Sequence, residues 1–338
     1  MLPQARMRVV RYTGSLFCLG SGAAFGAMGI FGKLAYGDGA TVGTLLTARF
    51  VLAAALFWAL LLAFGGGEIR ALDRRDVLVG LAMGACGYAL QAGCYFAALE
   101  RIDASLLSLL LYTFPTMVAV AAVALGRERL DGRRIVALVL ASGGVVLVMA
   151  GAGAGALDPL GAGLALGAAV VYSTYILVSD RVAPRMGARV LTALVCTGAS
   201  VPLTIGSALL GELRPGEVTV AGWGWLTCLA VVSTVAAISL FFAGLRRVGP
   251  TTASILSTVE PLVTVLLAFL VFGETLVAVQ LAGGALVLGA VLALHAGRRR
   301  RHAGELAVAV GGSSQLGDAV GGRSRCGEAG PAMGRATS

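Results

Sequence analysis

At 338 residues the chain could hold two soluble domains, but 58% of its residues are hydrophobic and only 13% are charged. This composition and a mean hydropathy of +0.89 exclude a water-soluble fold of this size, which would need more charge on its surface. The net charge of +9 does not indicate a nucleic-acid partner, because the arginines lie between apolar runs rather than on one face. The composition therefore predicts an all-α integral membrane protein.

The first apolar run follows a short basic segment, residues 1–14, and so has the outline of a signal peptide. The run is too long for the apolar region of a signal peptide, and many further spans follow it. The sequence therefore predicts a first transmembrane helix that the protein retains.

Apolar runs long enough to cross a hydrocarbon core of roughly 30 Å recur along the chain. The ten predicted spans are 15–36, 41–64, 77–99, 104–125, 135–152, 160–179, 190–210, 222–245, 251–272 and 277–296. Arginines cluster before the first span and after each even-numbered span, whereas the alternate loops contain only Arg101 and Arg214. The positive-inside rule therefore places both termini in the cytoplasm. Residues 297–338 are rich in Gly, Ser and Arg, which predicts a disordered cytoplasmic tail.

An internal repeat relates the two halves of the chain. Residues 94–130 align without gaps with residues 240–276, and 10 of the 37 positions are identical. The identical residues include a proline, Pro115 aligned with Pro261, and a glutamate at a helix end, Glu128 aligned with Glu274. We interpret the two glutamates as scaffold residues.

The repeat also predicts how the two halves lie in the membrane. Residues 15–152 and residues 160–296 contain five predicted spans each. Because five is an odd number, the second half must enter the membrane from the opposite side. The fold class predicted is therefore ten transmembrane helices in two inverted-topology repeats, a plan typical of secondary transporters.

Four segments carry a resemblance to a known family: FGKLAY (31–36), TARFVLAAALF (47–57), CYFAALERIDASLLSLLLYTFPTMVAVAAVALGRERL (94–130) and LFFAGLRRVGPTTASILSTVEPLVTVLLAFLVFGETL (240–276). The chain resembles the drug/metabolite transporter superfamily in its ten-helix EamA-type branch, over about residues 15–296. The resemblance implies transport of a small solute, usually efflux, through a cavity lined by both halves.

Glu260 is the one acidic residue well inside a predicted span, about 14 Å along the ninth span at 1.5 Å per residue. Pro261 has no N–H, so the Ser257 carbonyl lacks its helical donor, and Pro115 predicts a matching kink in the fourth span. Burial disfavours a charged carboxylate, so Glu260 could load and release a proton. The alternative is a hydrogen-bonded Glu260 that bridges helices. The repeat places Phe114 at the equivalent position, so a proton site would be asymmetric.

Arg49 is the second intramembrane ion, near the middle of the second span. A guanidinium does not lose its charge, so it needs a carboxylate, backbone carbonyls or an anionic substrate group. We expect an ion pair with Glu260, or else a packing role as a cap on carbonyls. Lys33, near the outer end of the first span, is interpreted as an interfacial anchor, with a role at an outer gate as the alternative.

Other polar residues within the spans could line a cavity or bind a neighbouring helix. These candidates are Gln91, Ser108, Tyr112, Tyr172, Tyr175, Ser254 and Ser257. Tyr172 and Tyr175 share a helix face by their spacing of three. Two small-residue motifs, Gly22-x-x-x-Gly26 and Gly163-x-x-x-Gly167, predict close helix packing. The six cysteines form no CxxC pair, so neither a disulfide framework nor a metal site is expected.

The function predicted is a secondary transporter of the bacterial inner membrane that exports a small metabolite or drug-like solute by alternating access, coupled to protons. The alternatives are an uncoupled facilitator or importer of the same fold, or a non-transporting membrane scaffold. An intramembrane hydrolase is excluded because the two histidines, His295 and His302, lie at or beyond the last helix end. The expected partners are the solute, the proton and the bilayer, with no cofactor and no nucleic acid, in a monomer or homodimer.

Overall fold

The structure is a computed structural model that describes residues 2–64, 73–126, 132–151, 158–248, 253 and 256–293, all within one compact unit of residues 1–295. These residues are almost entirely helical and contain no strand. The predicted tail, 297–338, lies outside the described residues, as do Arg127, Glu128 and Ser254.

The helical segments follow the apolar runs of the sequence. Labelled in chain order, they are Leu2–Gly26 with Met28–Gly37 (α1), Val42–Phe64 (α2), Arg74–Ala82 with Ala89–Leu99 (α3), Ala104–Leu111 with Phe114–Ala124 (α4), Gly132–Gly151 (α5), Pro159–Met186 (α6), Ala188–Leu209 (α7), Val220–Ala230 with Ala237–Val248 (α8), Val259–Phe272 (α9) and Ala278–Ala293 (α10). α1 begins at Leu2, so it includes most of the segment predicted to precede the first span.

Seven of these segments, α1 to α4 and α6 to α8, are long and apolar enough to cross a membrane. The apolar parts of α5, α9 and α10 are shorter, at 10–17 residues. All three coincide with predicted spans but fall below the length that crosses a bilayer without help from flanking residues. The chain is thus an all-helical, multi-pass membrane protein.

Two helices contain a wide, π-helical turn in place of the ordinary α-helical turn. The first comprises Met83–Tyr88 in α3, and the second comprises Val231–Ala236 in α8. Such a turn holds one extra residue and turns the side chains around it to a new direction, which is why it recurs at functional sites. These two π turns present Tyr88 and Thr234, which align with each other at the repeat offset of 146 residues.

Two further interruptions fall close to the aligned prolines. The first part of α4 ends at Leu111, and helix resumes at Phe114, beside Pro115. A turn at Thr258 precedes α9, which carries Pro261 in its first turn. Proline cannot donate to the carbonyl four residues earlier, and it restricts the residue before it, so both breaks have a covalent cause.

The first helix of each half of the chain packs against helices of the other half. α1 packs against α8 and α9 of the second half, and α6 packs against α3 and α4 of the first. α2 also packs against α7, and α4 against α9. The helices that carry the candidate site residues therefore meet at the junction between the halves.

Candidate functional site

Glu260 lies in the first turn of α9, where α1, α4 and α9 meet. Its side chain is half-buried, and no hydrogen bond or ion pair connects the carboxylate with any residue that the structure describes. The charge of Glu260 acts on four tyrosine hydroxyls, those of Tyr88, Tyr95, Tyr112 and Tyr172. The carboxylate thus interacts with several phenols and has no counter-ion among the described residues.

The backbone of Glu260 is held by a close approach of α1. A Cβ atom built on Gly26 would lie 2.8 Å from the Glu260 carbonyl oxygen, and one on Gly22 would lie 2.6 Å from a Val259 methyl. The Thr264 hydroxyl donates to the Gly26 carbonyl over 2.9 Å and locks the two helices together. The first glycine motif is therefore a contact site for α9.

The second glycine motif does not form the contact that its sequence predicts. A Cβ atom at Gly163 or Gly167 would meet nothing within 4 Å. The two glycine motifs lie in corresponding spans but do not align at the repeat offset of 146 residues, and close packing at the second motif was a wrong prediction.

Arg49 is 2% exposed and lies in a cage built from both halves. Its Nε donates to the Thr234 hydroxyl over 3.0 Å, and its charge interacts with the Tyr88 hydroxyl. The guanidinium covers the rings of Phe50 and Phe96 at 5.2 and 5.3 Å. Cation–π contacts and two hydroxyls offset part of the cost of burying a charge, but they supply no negative charge.

The expected Arg49–Glu260 ion pair is not formed. The salt bridges between described residues do not include this pair. Tyr88 and Tyr95 instead interact with both charges. The geometric reason is that Arg49 is bound by Thr234 in the π turn of α8 and packs against the rings of Phe50 and Phe96.

An aromatic wall connects the two charged residues. Tyr172 and Tyr175 stack with their ring centres 6.4 Å apart, as their shared face predicts. Tyr172 also contacts Phe114 at 4.7 Å, and Tyr175 contacts Tyr88 at 5.6 Å. Phe114, the residue aligned with Glu260, thus belongs to the same aromatic cluster as Tyr88, Tyr172 and Tyr175.

The Ser257 carbonyl that Pro261 deprives of a donor finds a replacement. The Tyr112 hydroxyl donates to it over 2.6 Å, across the contact between α4 and α9. The Ser257 hydroxyl binds the Ala253 carbonyl of its own helix at 2.9 Å. Tyr112 therefore connects the breaks in α4 and α9, and Ser257 contributes its backbone rather than its hydroxyl.

The structure does not bring every predicted residue to this site. No hydrogen bond or ion pair links Gln91 with Glu260, Arg49 or any other described residue. A groove of about 450 Å³ between α3, α6 and α7 is lined by apolar residues, and none of them is a predicted site residue. Among the described residues, no group of His, Cys, Asp and Glu could hold a metal ion.

Tyr88, Tyr95 and Thr234 belong to the site but were not predicted from the sequence. A signal exists in retrospect, because Tyr88 and Thr234 are polar residues that align at the repeat offset. Tyr95 follows Tyr88 by seven residues, which places both on one helix face. The π turns that bring Tyr88 and Thr234 to Arg49 have no signature in the hydrophobic pattern.

A multi-pass helical protein whose halves meet around a buried carboxylate and a buried guanidinium has the construction of a membrane transporter, in which polar residues inside the bilayer mark a solute or ion pathway. The EamA-like transporter family model matches this chain twice, at residues 12–150 and 159–295. The chain belongs to the EamA-like transporter family. It is a transporter and not an enzyme.

Similar proteins are transporters as well. The uncharacterized transporter YcbK of Bacillus subtilis is 25% identical over 276 residues, covering 80% of this chain and 88% of that protein. An uncharacterized transporter of Archaeoglobus fulgidus is 30% identical over 205 residues, covering 60% and 71%. The threonine/homoserine exporter RhtA of Escherichia coli is 28% identical over 223 residues, covering 64% and 68%. One solved crystal structure shares the fold, with a TM-score of 0.59 and 22% identity over 86% of this chain and 98% of its own.

Proposed function

We propose that this chain is a proton-coupled exporter of a small zwitterionic solute, such as an amino acid, in the bacterial inner membrane. The observation that carries the proposal is the pair of opposite charges at Arg49 and Glu260, both of which interact with Tyr88 and Tyr95. Each charge is without an ionic partner among the described residues. A solute that carries both an ammonium and a carboxylate group would satisfy both.

The proposed topology is ten transmembrane helices in two inverted five-helix repeats, with both termini in the cytoplasm. The exchanged packing of α1 and α6 supports it, because inverted halves place equivalent helices in equivalent contacts. The two separate family matches support the same division. The arginine-rich loops support the orientation. Alternating access then consists of rocking the halves about the site at their junction.

Glu260 is the proposed exchange site for the proton and the substrate ammonium group. On the cytoplasmic side the carboxylic acid releases its proton to water, and the anion binds the ammonium group. On the outer side the ammonium group leaves, and a proton from outside neutralises the carboxylate for the return step. No cation among the described residues pairs with the carboxylate. The free-energy cost of burying its charge is therefore relieved only when a proton or the substrate ammonium group neutralises it.

Arg49 is the proposed binding site for the substrate carboxylate. Its Nε is used by Thr234, and the fixed charge remains to be neutralised. Guanidinium groups pair with carboxylates through parallel N–H donors, which fixes the orientation of the bound group. The similarity to RhtA, a threonine/homoserine exporter, supports an amino-acid substrate for this chain.

The experiment that tests the proposal is uptake into inside-out membrane vesicles under an imposed pH gradient. We would compare single amino acids with matched amines and carboxylic acids of the same side chain. We expect gradient-driven uptake of a zwitterion and at least about tenfold lower uptake by Glu260→Gln, since one decade corresponds to about 1.4 kcal/mol. Glu217→Gln makes the same chemical change at an exposed loop position and serves as the matched control.

Three results would contradict specific parts of this proposal. Unchanged gradient-driven flux in Glu260→Gln would remove the proton role of Glu260. Equal flux of the wild-type protein with and without the gradient would favour the uncoupled facilitator. Preferential uptake of the amine or the acid over the zwitterion would overturn the substrate class.

A further inference from the structure

A second cluster of charged residues lies away from Glu260, at the end of the molecule where α1 and α3 finish and α4 begins. Lys33 Nζ lies 2.8 Å from the Glu274 carboxylate and 3.4 Å from that of Asp103. The Glu274 side chain is only 7% exposed, and that of Lys33 is 22% exposed. Lys33 is therefore held in a partly buried ion pair and is not the free interfacial anchor of the preferred interpretation.

Glu274 also caps the N-terminus of α4. Its carboxylate accepts hydrogen bonds from the Ser105 N–H at 3.0 Å, the Ser105 hydroxyl at 2.8 Å and the Ala104 N–H at 3.2 Å. The first N–H groups of a helix lack partners in their own helix, and they carry partial positive charge. Glu274 satisfies two of them while it neutralises Lys33.

The position of Glu274 follows from the end of its own helix. α9 ends at Phe272 and is followed by Gly273, whose φ of +68° lies in the left-handed region that glycine adopts without strain. The chain reverses there and returns the next residue, Glu274, toward α1 and α4. Glu274 thus joins the second half of the protein to the first, which goes beyond the scaffold role expected for a helix-end residue.

One face of α4 leads from this cluster to the proposed substrate site. Ser105, Ser108 and Tyr112 are spaced by three and four residues, so they lie above one another on the helix. Ser105 binds Glu274, and Tyr112 binds the carbonyl of Ser257, three residues before Glu260. Ser108 lies between them and is buried.

We propose that Glu274, Lys33 and the N-terminus of α4 form an outer gate that holds the extracytoplasmic side of the transporter closed. The proposal rests on the alternating access of the proposed function. When the two halves rock apart on the outer side, the bonds from Glu274 to α1 and to α4 must break together. They hold the closed state, and their loss favours the outward-open state.

The test is the accessibility of a cysteine placed behind the gate. Ser108→Cys is a nearly isosteric change, made in a protein whose six native cysteines are replaced. A membrane-impermeant maleimide is added from the outer side, and the rate of labelling is measured. We expect Glu274→Gln to raise this rate about tenfold, which corresponds to about 1.4 kcal/mol in the gate equilibrium. Lys33→Gln should raise it less, because the carboxylate keeps its bonds to α4.

Asp158→Asn is the matched control. The Arg101–Asp158 ion pair, at 3.2 Å, also connects the two halves, but its side chains are 43% and 31% exposed. Exposed ion pairs contribute little to stability, so we expect Asp158→Asn to leave the labelling rate of the Ser108→Cys protein unchanged. Asp158→Asn labelling that rises as much as that of Glu274→Gln would overturn the assignment of the gate to Glu274.

Unchanged or slower labelling in Glu274→Gln, in a protein that remains monodisperse, would show that the cluster is a static brace. If Glu274→Gln does not fold, Lys33→Gln decides, because it removes the ion pair alone; an unchanged rate in that variant would count against the gate. The assay needs neither substrate nor a proton gradient. Faster labelling in a protein that transports no zwitterion would therefore support the gate and reject the proposed function separately.

Discussion

Replacing Tyr112 with phenylalanine tests whether its hydroxyl substitutes for the donor that Pro261 lacks. The bond to the Ser257 carbonyl is 2.6 Å long, and Tyr112 is 4% exposed. Removing the hydroxyl leaves a carbonyl acceptor without a donor, at a cost of about 1–3 kcal/mol in protein interiors. Interhelical hydrogen bonds in membranes are worth less, up to about 1.7 kcal/mol. We therefore expect the free energy of unfolding to fall by about 1–1.5 kcal/mol.

A double-mutant cycle with Pro261→Ala separates this hydrogen bond from simple packing. Alanine at position 261 restores an N–H that can donate to the Ser257 carbonyl, so Tyr112→Phe should cost about 1 kcal/mol less in that background. Unfolding of the purified protein in mixed micelles gives all four free energies. Tyr172→Phe is the matched control. The Tyr172 ring contacts other aromatic rings, but its hydroxyl makes no hydrogen bond with any described residue. An equal cost of Tyr112→Phe in both backgrounds would refute the reasoning.

Two further predictions concern the helix contact behind Glu260 and the charge at the proposed gate. Gly26→Ala places a methyl group 2.8 Å from a backbone oxygen of α9, so we expect strong loss of vesicle uptake with normal membrane insertion, whereas Gly163→Ala, which meets nothing within 4 Å, should transport normally. For Glu274, burial raises the pKa, but the Lys33 ammonium and the Ser105 N–H outweigh it and hold the pKa below its ordinary value. A lowered folded pKa stabilises the closed gate above the ordinary pKa of about 4.3, and this stabilisation is lost as pH falls through the lowered value. Labelling of Ser108→Cys, relative to an exposed reference cysteine, should therefore stay constant from about pH 8 to about pH 5; a rise within that range would contradict it.

Much of the architecture could be predicted because hydropathy is a local property of the chain. Each apolar run has to bury its own backbone polar groups in a helix once it enters lipid, whatever its neighbours are. The helices of the structure therefore follow the predicted spans. The fine structure within them, such as the π turns at Met83–Tyr88 and Val231–Ala236, could not be predicted, because an extra residue in one turn leaves the apolar character of the run unchanged.

The candidate site was also predicted only in part from the sequence. The repeat singled out Glu260, because it aligns with Phe114 and has no acidic counterpart. The partner of Arg49 was predicted wrongly, since charge alone pointed to Glu260. Its observed hydrogen-bond partner is Thr234, 185 residues away.

The sequence by itself determined that this protein is a helical membrane transporter, where its apolar helices lie and which carboxylate is exceptional. The tertiary structure alone decided which side chains meet: Thr234 on Arg49, Tyr112 on a carbonyl freed by proline, and Glu274 between Lys33 and α4. The physical reason is that lipid acts on each helix separately, whereas the rotation and approach of one helix against another depend on the packing of both surfaces.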